Sequence, residues 1–134
     1  MANPAPTSDD AWLEMPDGHA QRIGRGCVLG RLGNCDVVLG DRFGAACSGK
    51  VTSLVEKELT AMGYRVARNA PYAGGYTTEH YGRPGRKVHA LQIELSRGLY
   101  FDEAALQPTA GMARLKADLA RLFAALAAHD WNGL

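Results

Sequence analysis

The chain contains no C-x-x-C pair, no excess of one charge, and no apolar run near the roughly 20 residues of a bilayer span. Each absence excludes a class of protein. Fifteen basic residues face 14 acidic ones, for a net charge of +1, so there is no electrostatic case for nucleic acid, which requires a basic face. The missing apolar run excludes a helical membrane span. The N-terminal residues MANPAPTSDD do not place a basic stretch before an apolar one, so they do not read as a secretory signal. Cys27, Cys35 and Cys47 cannot all pair with one another, which excludes a disulfide framework and favours a reduced, cytoplasmic setting. His19, His80, His89 and His129 form no H-x-x-E, H-x-x-x-H or H-x-H spacing, so spacing assembles no complete metal site.

What is present is a globular composition: 134 residues, 46% hydrophobic, enough for one domain with a true core. Residues 1–33 read as a flexible N-terminal arm, rich in Pro, Ser and Asp, followed by an irregular Gly-rich loop. Residues 34–128 form the structured part, and 129–134 a tail. Cys35 to Leu39 is a β-branched run that predicts a buried strand. A helix capped by Ser48 follows, with Val51, Leu54, Val55, Leu59 and Met62 on one face and Gly63 just past its end. Tyr64–Arg68 predicts a second strand. A long loop, Asn69–Arg86, leads to a third, Val88–Leu95. After Pro108 a helix runs to about Ala128 with an apolar stripe of Met112, Leu115, Leu119, Leu122, Phe123 and Leu126. The order strand, helix, strand, strand, helix is that of an α/β fold.

The most informative residue is Glu94. Alternation puts His89, Leu91, Ile93 and Leu95 on one face of the last strand and Val88, Ala90, Gln92 and Glu94 on the other. A carboxylate within an apolar strand is costly unless it is paired or serves a site. Glu94 is therefore a candidate general base; a salt bridge to Arg97 or Arg86 is the structural alternative. The loop Asn69–Gly75 combines a stiffening Pro71 with Gly74 and Gly75, which permit close approach of a ligand. Tyr72, Tyr76 and Tyr81 offer hydroxyls, and His80 lies in the same polar loop. Asp41 and Arg42, at the end of the first strand, form either a local ion pair or a grip on a substrate carboxylate. His89 reads as a core histidine and Cys47 as a structural thiol. Gly44 to Lys50 matches the G-x-x-x-x-G-K phosphate-loop spacing, but Val51 stands where a Mg²⁺-holding hydroxyl is required, so nucleotide binding is a secondary reading.

Three segments carry a resemblance. They are Val38-Leu39-Gly40-Asp41-Arg42-Phe43-Gly44; Arg68 to Thr78 with His80-Tyr81-Gly82; and His89 to Glu94 with Arg97 and Tyr100. In order and spacing, residues 34–127 resemble the C-terminal half of the N-formylglutamate amidohydrolase (N-formylglutamate deformylase) family. The resemblance implies a metal-dependent hydrolase with a three-layer α/β/α fold and mixed sheet, similar to zinc carboxypeptidases. It also implies cleavage of N-formyl-L-glutamate into formate and L-glutamate, at the end of a histidine-degradation route. Glu94 matches the carboxylate that activates a metal-bound water. Arg42, Asn69, Tyr76 and Arg97 match positions that hold the substrate's carboxylates, and Asp41, Gly74, Gly75 and His80 complete the expected substrate site. The family's Asp-Cys-His-Ser-Met-Pro segment survives here only as Met15-Pro16, with Leu13 in the histidine's place. The resemblance therefore implies a truncated member: zinc or another divalent metal belongs to the family, but its ligands are not expected in this chain. Such a chain is expected to be inactive alone and to leave a sheet edge through which it self-associates. A non-catalytic interaction module is the rival from another class.

Overall fold

The computed structural model describes residues 35–134, together with the backbone of two strands, β1 (Ala11–Glu14) and β2 (Ala20–Ile23). These two pair antiparallel, with Ala11 opposite Ile23 and Glu14 opposite Ala20. Arm and loop were expected over these residues, so both strands correct that reading. The remainder of the 1–33 expectation lies outside the described residues. Residues 1–31 and 32–134 form separate compact units.

The larger unit is organised by β3 (Val37–Gly40), whose Val37, Val38 and Leu39 are completely buried. The helix α1 (Gly49–Ala61) returns the chain to β4 (Val66–Arg68), which lies parallel to β3. The chain then passes through α2 (Tyr76–Tyr81) and a 3₁₀ turn at Pro84–Arg86 to β5 (Gln92–Leu95), antiparallel on the other side of β3. The sheet order is thus β4-β3-β5. A mixed sheet follows from the connections: a 13-residue helix supports a parallel crossover, and the longer excursion reverses direction. A small hairpin, β6 (Phe101–Asp102) with β7 (Gln107–Pro108), precedes the last helix, α3 (Gly111–Ala128).

Register decides which face is core. Leu95 lies opposite Val37 and Ile93 opposite Leu39, while Glu94 lies opposite Val38 and Gln92 opposite Gly40. Val37 and Leu39 pack with Val55 and Leu59 of α1, Leu115 and Leu122 of α3, and Tyr64. Both long helices therefore cover one face of the sheet, and Glu94 and Gln92 project from the other. The Tyr64 hydroxyl donates to Asp118 Oδ2 across 2.7 Å. Burial first, and then the Asp118 carboxylate, push that phenol's pKa up to about 12. Arg114 and Arg121 stand 3.5 and 3.6 Å from the same carboxylate, so a nearly buried charge is paired.

Several expectations shift by a few residues. The strand expected at Cys35–Leu39 is Val37–Gly40, Tyr64–Arg68 shortens to Val66–Arg68, and Val88–Leu95 shortens to Gln92–Leu95. Ser48 does cap α1, its side chain accepting from the Lys50 amide, and Gly63 takes the left-handed φ of +95° that ends it. Phe123 leaves the α3 stripe: it is 57% exposed, because it sits about 100° around the helix from the fully buried Leu122. No helix among the described residues is long and apolar enough to cross a membrane.

Candidate active site

The segment expected to be an open loop, Asn69–Arg86, is largely ordered by internal bonds. Its first half is fastened to the end of β3. Asn69 takes a left-handed φ of +54°, and its side chain both accepts from the Asp41 amide at 3.1 Å and donates to Asp41 Oδ1 at 2.7 Å. The Arg42 amide donates to the Ala73 carbonyl at 2.8 Å. The second half is fastened to β5: the Gly75 amide donates to Gln92 Oε1 at 2.9 Å, and Gln92 Nε2 donates to Glu94 Oε1. A continuous set of bonds thus links Asp41, Asn69, the glycine loop, Gln92 and Glu94. Among the described residues no cation pairs with Glu94, and no donor reaches its second oxygen, Oε2. The salt-bridge alternatives go elsewhere, since Arg97 faces Glu103 at 3.7 Å.

Asp41 is only 4% exposed. Burial pushes its pKa up, but bonds from Asn69, from Thr52 Oγ1 at 2.9 Å and from the Gly44 amide at 3.2 Å, with the charge of Arg68, outweigh burial and hold the carboxyl below its ordinary value. Its oxygens are engaged inward. Asp41 therefore organises the β3 end, and the local ion pair expected with Arg42 is replaced by these bonds, Arg42 turning to Glu79. Thr52 was overlooked at the sequence level; a threonine one turn into a helix that follows a strand end was the available signal.

Close approach explains one glycine. A Cβ on Gly40 would lie 2.5 Å from the Gly74 nitrogen and 2.8 Å from the Ala73 carbonyl carbon, both backbone atoms. The loop therefore rests directly on the end of β3. We expect Gly40→Ala to lower stability by about 2–3 kcal/mol and to loosen the Gly75–Gln92 bond. Urea titration with amide exchange of Gly74 and Gly75 checks this; unchanged midpoint and protection would refute it.

The remaining expected site residues are dispersed. Tyr76 and His80 sit on the exposed surface of α2, joined by a 3.2 Å contact between the Tyr76 hydroxyl and His80 Nδ1, with their rings stacked at 5.0 Å. Arg42, itself at a left-handed φ of +54°, approaches Glu79 at 3.6 Å. Arg97 lies in a 3₁₀ turn just after β5, and none of the contacts among the described residues joins it to the loop. Cys47 is fully buried, and burial pushes its thiol pKa up, as fits a structural role. The phosphate-loop spacing does not make a cradle. The amides of Gly44, Ala45, Ala46, Ser48 and Lys50 donate to Asp41 Oδ1, Arg42 O, Asp41 O, His89 Nδ1 and Ser48 Oγ, while the Lys50 amine reaches the Gly133 carbonyl. Too few donors remain to surround phosphate.

Among the described residues, no three His, Cys, Asp or Glu side chains converge to hold a metal. His89 Nδ1 accepts from the Ser48 amide at 3.1 Å, and its Nε2 is buried without a partner among the described residues.

Fold and site together define a mixed α/β domain that presents a strand carboxylate beneath a glycine-hinged polar loop. The family model described as N-formylglutamate amidohydrolase matches residues 17–101, and the chain belongs to that family. It is 39% identical over 71 residues to an N-formylglutamate deformylase of Pseudomonas aeruginosa, covering 52% of this chain and 27% of that protein. It is 34% identical over 70 residues to an N-formylglutamate deformylase of Pseudomonas putida, covering 52% and 22%. The crystal structure of N-formylglutamate amidohydrolase from Ralstonia eutropha JMP134 superposes with a TM-score of 0.63 at 44% identity, covering 66% of this chain and 31% of that one. The chain thus spans about a quarter of the length of the curated relatives it matches.

Proposed function

We propose that this chain carries the base and the substrate-loop portion of a deformylase site acting on N-formyl-L-glutamate. The observation that supports this most is the bonded set from Asp41 to Glu94. Gln92 occupies one carboxylate oxygen of Glu94, which orients the other for a water molecule. In the reading we favour, Glu94 takes a proton from that water as its oxygen bonds to the formyl carbon. It then gives the proton to the departing nitrogen as the C–N bond breaks, so formate and L-glutamate leave with the charge balanced. Arg42 and Tyr76, at the loop's rim, are assigned to the substrate's carboxylates together with Arg97; Asn69 acts by setting the loop. The three-layer, zinc-carboxypeptidase-like architecture is proposed for the complete family domain, of which this chain supplies a central sheet with one helical layer.

The family resemblance brings a divalent metal, which when bound lowers the pKa of a coordinated water. The described residues do not fit a metal cradle: His80 is stacked against Tyr76, His89 uses Nδ1 on a backbone amide, and no third ligand is near. No step is therefore derived through a metal in this chain, and the chain by itself is proposed to be inactive.

A chimera tests the reading. Residues 34–127 replace the corresponding segment of the Pseudomonas aeruginosa deformylase, and formate release from N-formyl-L-glutamate is measured. Activity within about tenfold of the parent is expected, with none from the 134-residue chain alone. A folded but inactive chimera would overturn the functional reading; zinc-dependent turnover by the chain alone would overturn the inactivity.

A further inference from the structure

The sheet β4-β3-β5 ends in two edges of different character. β4 is three residues long, and Arg65 and Arg68 stand at its two ends. Short length and charge are the usual means of keeping a further strand away. β5 reads Gln-Ile-Glu-Leu, with no proline, lysine or arginine, and its four residues are half-buried. The β1–β2 hairpin is a sheet of its own. Register shows which atoms the β5 edge offers. The Ser96 amide donates to the Asp36 carbonyl at 2.9 Å, so these two residues form a hydrogen-bonded antiparallel pair. Two and four residues earlier, Glu94 and Gln92 likewise turn their backbone groups toward β3. Leu91, Ile93 and Leu95 turn theirs away, and among the described residues no hydrogen bond reaches them on that side.

We propose that β5 pairs antiparallel with β5 of a second copy of this chain, about a twofold axis at Ile93. The edge is self-complementary in that register. Ile93 meets its own counterpart, Leu91 lies opposite the partner's Leu95, and Gln92 lies opposite the partner's Glu94. The outward backbone groups of residues 91, 93 and 95 then bond in pairs, and their apolar side chains carry the core face across the junction. Gln92 and the partner's Glu94 fall at the closer kind of pair, with Cα atoms about 4.5 Å apart. Gln92 Nε2 has a second hydrogen besides the one given to its own Glu94, and the partner's Glu94 has Oε2 to accept it. Neighbouring axes lack this match. One at Glu94 would oppose two carboxylates, and one at Gln92 would set each Glu94 against Ala90, which has no side-chain donor. The proposal needs only the edge and its register, and stands apart from the deformylase reading.

Sedimentation equilibrium of the 134-residue chain tests the pairing, and a dimer that dissociates on dilution is expected. Gln92→Glu opposes like charges twice in each dimer and should weaken it about tenfold. Gln92→Lys opposes an ammonium to a carboxylate twice and should tighten it severalfold at low salt. Both variants remove the amide that bonds Glu94, so a purely internal role for Gln92 would move the dimer the same way in both. Cross-linking reads the register without relying on those charges. In a Cys27→Ser, Cys35→Ser background, chains carrying Gln92→Cys are mixed with chains carrying Glu94→Cys and oxidised. The mixture should give a covalent heterodimer in far higher yield than either chain gives alone, because only the 92–94 pairing brings the two Cα atoms within disulfide reach. A chain that stays monomeric up to millimolar concentration would overturn the proposal. So would charge variants that shift the dimer in the same direction, or cross-linking with no preference for the mixed pair.

Discussion

Asp41→Ala is expected to destabilise the domain by about 3–5 kcal/mol, because removing the carboxylate strands three donors in a nearly solvent-free place. Asn69 Nδ2, Thr52 Oγ1 and the Gly44 amide all converge on it, and Asp41 itself is 4% exposed. Nothing replaces the lost acceptor, since water has little access. Asp41→Asn is the gentler test: one oxygen still accepts from Asn69 and Gly44, and the Thr52 hydroxyl can rotate to accept. A loss of about 1–2 kcal/mol is expected there. The charge also gives a pH signature. The folded carboxyl sits below its ordinary value of 3.8, so its contribution is complete above the unfolded pKa and disappears as pH falls through the folded pKa. Asp36, lowered chiefly by its hydrogen bond with Arg65, adds to the same loss, discounted by the exposure of that pair. Chemical denaturation from pH 7 to below 4 should show stability falling at the acid end in the native chain and less so in Asp41→Asn. A flat difference between the two would contradict the assignment.

Much of the scaffold was legible in the sequence because it rests on local patterns. The Ser48 cap and the Gly63 terminus are set within a few residues of one another, and the structure bears both out; of the expected α1 stripe, Val55, Leu59 and Met62 reach the core, while Val51 and Leu54 stay half-buried and Thr52 is buried instead. The α3 boundaries follow from Pro108 and the apolar period, although the period alone put Phe123 inside the core. The strand ends were less legible, since they depend on partners far along the chain. Val37–Gly40 is bounded by pairing with Gln92–Leu95 some 55 residues later, which no local window contains. The order within Asn69–Arg86 was hidden for another reason. Its helix α2 is only six residues long, and its stability comes from Thr78 Oγ1 donating to the Gly75 carbonyl at 2.7 Å and from the seat of Gly82 against Ala46, not from periodicity.

The site was legible in its chemistry and not in its connections. Strand alternation put Gln92 and Glu94 on one face, opposite the core residues Ile93 and Leu95, and the register agrees. Alternation is silent on what touches that face. That Gln92 is the hinge between the glycine loop and Glu94 emerges only when the loop is folded back. The same limit applies to Asp41, which reads with Arg42 as a local ion pair or a grip on a substrate carboxylate and is found as the buried anchor of the loop.

The second large effect concerns Glu94 itself. Glu94→Gln keeps the size and the bond to Gln92, so folding and substrate affinity should change little. It removes only the ability to take a proton, which in general-base catalysis is worth about 10²–10⁴ in rate. The measurement is kcat for formate release by the chimera with glutamate or glutamine at position 94, alongside its thermal midpoint. The account predicts a fall in kcat of about a thousandfold with KM and midpoint nearly unchanged. A glutamine variant that turns over within a few-fold of the parent would contradict it.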